Sequence, residues 1–245
     1  LAGGTDYYPA RSDRASDDDI LDLGALGGLR GIEARPDHWL VPCLTTWTDL
    51  LEADLPPVFD CLKQAARQVG GVQIQNTGTV VGNLCNASPA ADGIPCLLAL
   101  DAGVELACST GTRILPVAEF LLGPRKTARR PDELALGLRI PRALDQAESR
   151  FLKLGARRYL VISIAMVATM IARAPDGRIT AARIAIGACS ATARRLPALE
   201  AELIGTSGDF TTRLEDHLTP IDDIRGSAAY RLHAAETLVR RAVAA

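Results

Sequence analysis

The chain is poor in aromatic residues, 4% of its 245, and has no surplus of either charge: 27 Lys and Arg stand against 29 Asp and Glu, a net charge of −2. Without a basic surplus it has no electrostatic footprint for a polyanion, and so few rings leave little on which bases could stack. Nucleic acid is not an expected partner. No run of about 18 apolar residues occurs; the longest candidate, 159–172, is broken by Ser163 and Thr169. No membrane span or secretory leader is expected. The six cysteines, Cys43, Cys61, Cys85, Cys96, Cys108 and Cys189, never fall at CxxC spacing. They read as reduced, mostly buried thiols of a cytoplasmic protein, and no metal is expected. With only three histidines, far apart, His38 beside Trp39 is read as a surface or packing residue rather than a ligand.

Basic residues are also missing locally. From Gln68 to Thr112 there is no Lys or Arg, and within that stretch stands Thr77 to Asp92, TGTVVGNLCNASPAAD. Thr77, Gly78, Thr79, Gly82, Asn83, Asn86 and Ser88 are short donors or hinges, interrupted by the Val80-Val81 pair. This is read as a loop that exposes backbone, with Ser88 before Pro89 in a turn or cap. An anion bound here must be held by peptide N–H groups and hydroxyls. A second such stretch opens the chain: LAGGTDYYP, with no basic side chain before Arg11. Two such loops suggest a ligand with two phosphates. Neither is a P-loop, no GxGxxG occurs, and each alone also reads as an ordinary tight turn.

Taken together and in this order, AGGTD and TGTVVGNLCNASPAAD resemble the FAD-binding subunit or domain of the molybdenum hydroxylases, the xanthine dehydrogenase and carbon monoxide dehydrogenase type. The resemblance extends over essentially the whole chain. It implies an α+β fold: a PCMH-type FAD-binding domain of two α/β subdomains over 1–145, then a CO dehydrogenase flavoprotein-like C-terminal domain over 146–245. The latter would have a three-stranded antiparallel sheet and a helical layer. In the family a strand and a helix precede AGGTD; here only Leu1 would remain of that strand.

Residue patterns along the chain give the elements. Asp18 to Leu23 is expected as a short strand after a polar surface connection from Arg11 to Asp19, and Leu26 to Leu29 as a helical turn. His38 to Leu44 reads as a strand, Thr48 as the cap of a helix over Asp49 to Ala53, and the half as small β-α-β units. Val58, Leu62, Ala65, Ala66 and Val69 recur at helical spacing, stopped by Gly70-Gly71, and Val72 to Gln75 alternates as a strand leading into the loop. Pro95 marks a helix continuing to Leu100. A hairpin (Val104 to Cys108, Arg113 to Val117), a short helix from Val117 and a strand from Glu133 to Pro141 follow, with Arg142 to Ser149 as the link. Arg150 to Gly155, Val161 to Ala172 and Ile179 to Ala188 are read as an antiparallel meander. Helices are expected over Leu196 to Leu203, Phe210 to His217 and Tyr230 to Ala242, on one face of that sheet.

The resemblance also assigns roles. Ala2, Gly3, Gly4, Thr5 and Asp6 would bind the pyrophosphate of a non-covalent FAD from one side and Thr79, Val80, Val81, Gly82 and Asn83 from the other. The family often has Gly-Gly-Asn where this chain has Val81-Gly82-Asn83, which puts the backbone freedom at 81 in question. Ser88 and Asp92 would lie nearer the flavin ring, where Asp92 could act on its reactive edge. By position alone Asp92 is equally a helix-capping carboxylate. Lys153 aligns with a lysine near the flavin whose ammonium could stabilise the reduced ring, or is an exposed strand lysine. Ala135 aligns with a ring-packing leucine. The basic patch Arg125, Lys126, Arg129 and Arg130 is read as a solvated loop, with a partner subunit or a dinucleotide phosphate as the sharper alternative.

By resemblance, a large molybdopterin-binding subunit and a small [2Fe-2S] subunit are the partners, holding the molybdenum cofactor and the clusters. NAD is a candidate acceptor, left open because Tyr159 to Ala165 replaces a polar Asp-Asp-Ile-Ala segment of the xanthine dehydrogenase branch. The rival readings are a self-contained FAD oxidoreductase of the same fold and a flavin-free scaffold subunit.

Overall fold

The computed structural model describes residues 1–11 and 17–244, so residues 12–16 of the expected surface connection lie outside the described residues. In chain order the strands are β1 (Glu33–Ala34), β2 (His38–Pro42), β3 (Gly103–Cys108), β4 (Gly111–Pro116), β5 (Leu121–Gly123), β6 (Lys126–Thr127), β7 (Leu134–Pro141), β8 (Glu148–Leu154), β9 (Ala165–Arg173), β10 (Ile179–Gly187) and β11 (Arg194–Arg195). The α-helices are α1 (Trp47–Glu52), α2 (Asp60–Ala66), α3 (Val72–Thr77), α4 (Val80–Asn86), α5 (Gly93–Ala99), α6 (Val117–Phe120), α7 (Pro197–Leu203) and α8 (Ala228–Ala244).

The N-terminal half is built on a five-stranded sheet in the order β1-β2-β7-β3-β4, and each of its pairings is antiparallel. The expected β-α-β units would need a strand after the helices that follow β2, parallel to it. The segment expected to supply one, Val72 to Gln75, opens α3 instead. Its alternation spans only four residues, too few to separate a period of 2 from one of 3.6. The preceding helix ends at Ala66, the linking turn passes through Gly70 at φ 53°, and Gly71 is the N-cap of the new helix. Val72 stays 64% exposed, so no core demands a strand there.

Capping sets α1 earlier than expected. Thr46, not Thr48, is the cap: its hydroxyl accepts from the Asp49 N–H at 3.1 Å while the Asp49 carboxylate accepts from the Thr46 N–H at 2.9 Å. That reciprocal pair needs the i, i+3 spacing that Thr46 and Asp49 have. Near the start, Asp18 to Leu23 forms no strand. The Asp22 carboxylate accepts from the Gly24 N–H at 2.8 Å and nucleates a 3-10 turn over Leu23–Ala25, ahead of the turn expected at Leu26.

The C-terminal domain has four strands rather than three, in the order β11-β10-β9-β8. The fourth, β11, is two residues long and too short to carry a periodicity. Helices α7 and α8 cover one face as expected, but the other face is covered too, by α2 and α5 of the N-terminal half. Along β9 the side chains divide accordingly: Met166, Ala168 and Met170 join the core shared with the N-terminal half, and Ala165, Val167 and Ile171 face the C-terminal helices. A strand covered on both faces reads as a continuous apolar run. The helix expected over Phe210 to His217 shrinks to a 3-10 turn at Leu214–Asp216. Thr211 and Thr212 each donate an N–H and a hydroxyl to the Glu202 carboxylate, which holds that backbone out of helical geometry.

Candidate cofactor site

The two glycine stretches, far apart in sequence, are packed against each other. A Cβ on Gly3 would fall 2.2 Å from the Thr77 carbonyl oxygen, and one on Gly78 would fall 3.2 Å from the Thr5 hydroxyl. Gly3 and Gly4 both hold φ at 66°, the left-handed region that glycine enters without steric cost. The Gly4 N–H donates back to the Ala2 carbonyl at 2.8 Å, which closes the turn. Among the described residues the N–H groups of Thr5 and Asp6 have no acceptor.

The second stretch is not the open loop expected over Thr77 to Asp92. Its middle, Val80–Asn86, is α4, whose first turn is capped by Thr79: its hydroxyl oxygen accepts from the Gly82 N–H at 3.0 Å. Val80, Val81 and Leu84 are buried and pull this short segment into a helix. Val81 needs no left-handed conformation, so the departure from Gly-Gly-Asn costs no backbone freedom there. Beyond α4, the Ser88 hydroxyl accepts from the Ala90 N–H at 3.3 Å in a local turn.

Between the two stretches opens a cleft of about 570 Å³. Of the expected residues, Ala2, Gly4, Thr5, Asp6, Thr79, Val81, Gly82, Asn83 and Ala135 line it; Gly3, Val80, Ser88, Asp92 and Lys153 do not. The Asn83 side chain carries a buried Oδ1 without a hydrogen-bond partner among the described residues. Trp47, which the sequence reading passed over, forms the floor: it is buried, lines the cleft, and its ring runs from 3.6 Å off the Gly78 Cβ position to 2.7 Å off that of Gly93. Arg125 and Arg129, read as part of a solvated loop, also line the cleft. A cradle of glycines, unused N–H groups and threonine hydroxyls fits a diphosphate held by neutral donors.

Asp92 and Lys153 lie outside the cleft lining but meet each other. Lys153 Nζ donates to Asp92 Oδ2 at 2.6 Å, and the two side chains are 4% and 7% exposed. The other oxygen, Oδ1, accepts from the Ser163 hydroxyl at 2.7 Å. Burial pushes the Asp92 carboxyl above its usual range, and Lys153 and then Ser163 pull it back. Asp92 makes no side-chain cap on α5, and Lys153 is not an exposed strand lysine, so both bland alternatives fall. Ser163 was visible in sequence only as a break in an apolar run. The group joins the N-terminal half, through Asp92, to the C-terminal sheet.

Residues 1–143 match the family model described as the FAD binding domain in molybdopterin dehydrogenase, and residues 150–245 match the CO dehydrogenase flavoprotein C-terminal domain. The glyceraldehyde dehydrogenase medium chain of Sulfolobus acidocaldarius is 28% identical, with 99% of this chain and 88% of that one covered. The nicotine 6-hydroxylase medium subunit of Paenarthrobacter nicotinovorans is 30% identical, with 99% and 87% covered. Among solved structures, reconstituted CO dehydrogenase from Oligotropha carboxidovorans superposes with a TM-score of 0.92 at 27% identity, covering 99% of this chain and 87% of that one. Quinoline 2-oxidoreductase from Pseudomonas putida 86 gives a TM-score of 0.87 at 25% identity, with the same coverage of 99% and 87%.

Proposed function

The chain belongs to the FAD-binding subunit family of the molybdopterin dehydrogenases, the xanthine and CO dehydrogenase type, and from that premise we propose that it is the electron-transfer subunit of a heteromeric molybdenum hydroxylase. A large molybdopterin-binding subunit oxidises the substrate, a small [2Fe-2S] subunit relays the electrons, and this chain delivers them to NAD+ or another acceptor. The observation that carries the reading is the contact between the two glycine stretches, which turns two unremarkable turns into one cradle with a cleft beside it.

FAD supplies the redox chemistry when bound; the protein's share is binding, orientation and tuning. Ala2 to Asp6 hold the pyrophosphate from one side and Thr79 to Asn83 from the other, through N–H groups and the Thr5 and Thr79 hydroxyls. Gly3 and Val80 act from behind the lining by setting the backbone. Ala135 packs against the cofactor. Ser88, Asp92 and Lys153 sit toward the ring end. There Asp92 accepts hydrogen bonds from both Lys153 and Ser163, which fixes the Lys153 ammonium in one place. We set the domain boundary between 145 and 146, in the turn from β7 to β8. No helix among the described residues is long and apolar enough to cross a membrane. All six cysteines are free, which supports a reducing, cytoplasmic setting.

The test is affinity purification of the tagged chain from its own cells, followed by metal analysis. The reading expects two further subunits, with molybdenum and iron in the complex, and substrate oxidation in the complex alone. Hydroxylase activity from the isolated chain, or a metal-free homomer as the sole native form, would overturn it.

A further inference from the structure

The proposed ligand carries a diphosphate, yet the stretch from Gln68 to Thr112 and the first ten residues contain no Lys or Arg. The fold brings cations to the cleft from elsewhere: Arg11, Arg125 and Arg129 line it. Arg11 pairs with Asp18 at 3.3 Å. Arg125 and Arg129 pair with no carboxylate among the described residues. Each is held by neutral oxygens instead. The Arg125 guanidinium donates to Asn86 Oδ1 at the end of α4, and its backbone N–H donates to the Ala87 carbonyl at 2.9 Å. Arg129 Nη1 donates to the carbonyls of Arg130 at 3.0 Å and Glu133 at 2.7 Å. Arg125 also holds φ at 58°, an unusual conformation for a residue with a Cβ and one that surrounding structure maintains.

The acidic groups nearby do not cancel this charge. Glu133 lines the cleft but is fully engaged by Arg113, at 2.6 and 2.9 Å, and by the Arg130 N–H at 2.7 Å. The Cys85 thiol, also on the cleft, is pushed up to about 11 by burial despite the pull of Arg129, and so stays neutral at physiological pH. Among the described residues Asp6 is the one lining carboxylate without a cation partner, set against two guanidinium groups.

We propose that Arg125 and Arg129 are binding residues that supply the cationic field missing from the glycine cradle, attracting and retaining a dinucleotide through its two phosphate charges. The inference rests on the FAD reading above. It concerns field more than contact: Arg125 is tied to the C-terminal end of α4, and the cradle is at the N-terminal end, about 10 Å away for a seven-residue helix. That separation is comparable to the screening length at about 0.1 M salt. Such charges speed association of an anion at low ionic strength and lose their effect as salt rises.

The experiment uses the full chain stripped of flavin, with FAD rebinding followed by quenching of flavin fluorescence from 20 to 500 mM NaCl, about a fivefold span of screening length. Riboflavin, which lacks phosphate, is the second probe. Wild type should rebind FAD faster at low salt. Arg125→Gln with Arg129→Gln should slow FAD association by roughly 5- to 30-fold at low salt and flatten the salt dependence. Arg125→Lys with Arg129→Lys should keep most of the salt dependence, and riboflavin should bind all three proteins alike. An unchanged salt dependence in the glutamine variant, with FAD still bound, overturns this proposal alone. A wild-type chain that binds no FAD overturns the reading beneath it.

Discussion

Gly3→Ala tests the geometry of the cradle most sharply. The new methyl would sit 2.2 Å from the Thr77 carbonyl oxygen, a backbone atom that cannot swing aside as a side chain would. It must also sit at φ 66°, where a residue with a Cβ pays about 1–2 kcal/mol. Relieving the overlap means parting the two stretches. If the strain term alone is lost from binding, FAD affinity falls by about 5- to 30-fold, and parting the stretches adds to it. Gly28→Ala is the control: it has the same kind of conformation, φ 76°, with nothing within 4 Å of the new atom and no place in the cleft. The assay is FAD titration of both apoproteins beside their melting curves. Gly3→Ala should lose affinity with a modest change in Tm, and Gly28→Ala should bind as wild type. A Gly3→Ala protein that binds FAD as tightly as wild type would refute the claim that these two stretches form one site.

Three further outcomes follow from other parts of the fold. Arg231, 3% exposed, donates to the carbonyls of Ile164 and Ala188 and to Asp223; Arg231→Met should cost about 3 kcal/mol by leaving them unpaired, a Tm drop of roughly 6–12 °C by calorimetry. Lys153→Met strands the buried Asp92 charge and should destabilise by about 3–5 kcal/mol at pH 7. The loss should shrink toward low pH, because Asp92 can then bind a proton; an equal loss at pH 5 and pH 8 would count against the buried pair. The Glu202 carboxyl is held at about 2 by Thr212 and Thr211, below its ordinary 4.5. A depressed acid contributes stability above its unfolded value and loses it as pH falls from 4.5 through about 2, so wild type should lose more stability over that window than Glu202→Gln.

Much of the site was legible because glycine and threonine at particular spacings have few other uses. AGGTD is a local feature and survives into the fold, whereas the Thr79 cap lay hidden in a stretch that reads as an open loop. The roles that went unread were set by tertiary contact. Trp47 becomes a floor only because Gly78 and Gly93 approach its two ends. Ser163 matters only because β8 and the start of α5 bring Lys153 and Asp92 beside it. Val72 to Gln75 reads as a strand for a different reason: four alternating residues do not separate a period of 2 from one of 3.6, and the segment opens a helix. The apolar 159–172 run hid a second covering layer, since sequence does not say which helices will lie on which face.

The measurement closest to the central claim is a visible absorption spectrum of the purified chain, followed by denaturation and identification of the released flavin. The account predicts a flavin spectrum and one equivalent of FAD released without proteolysis, hence non-covalently bound. A colourless chain that takes up no added FAD, or one that releases a flavin lacking the diphosphate, would contradict it.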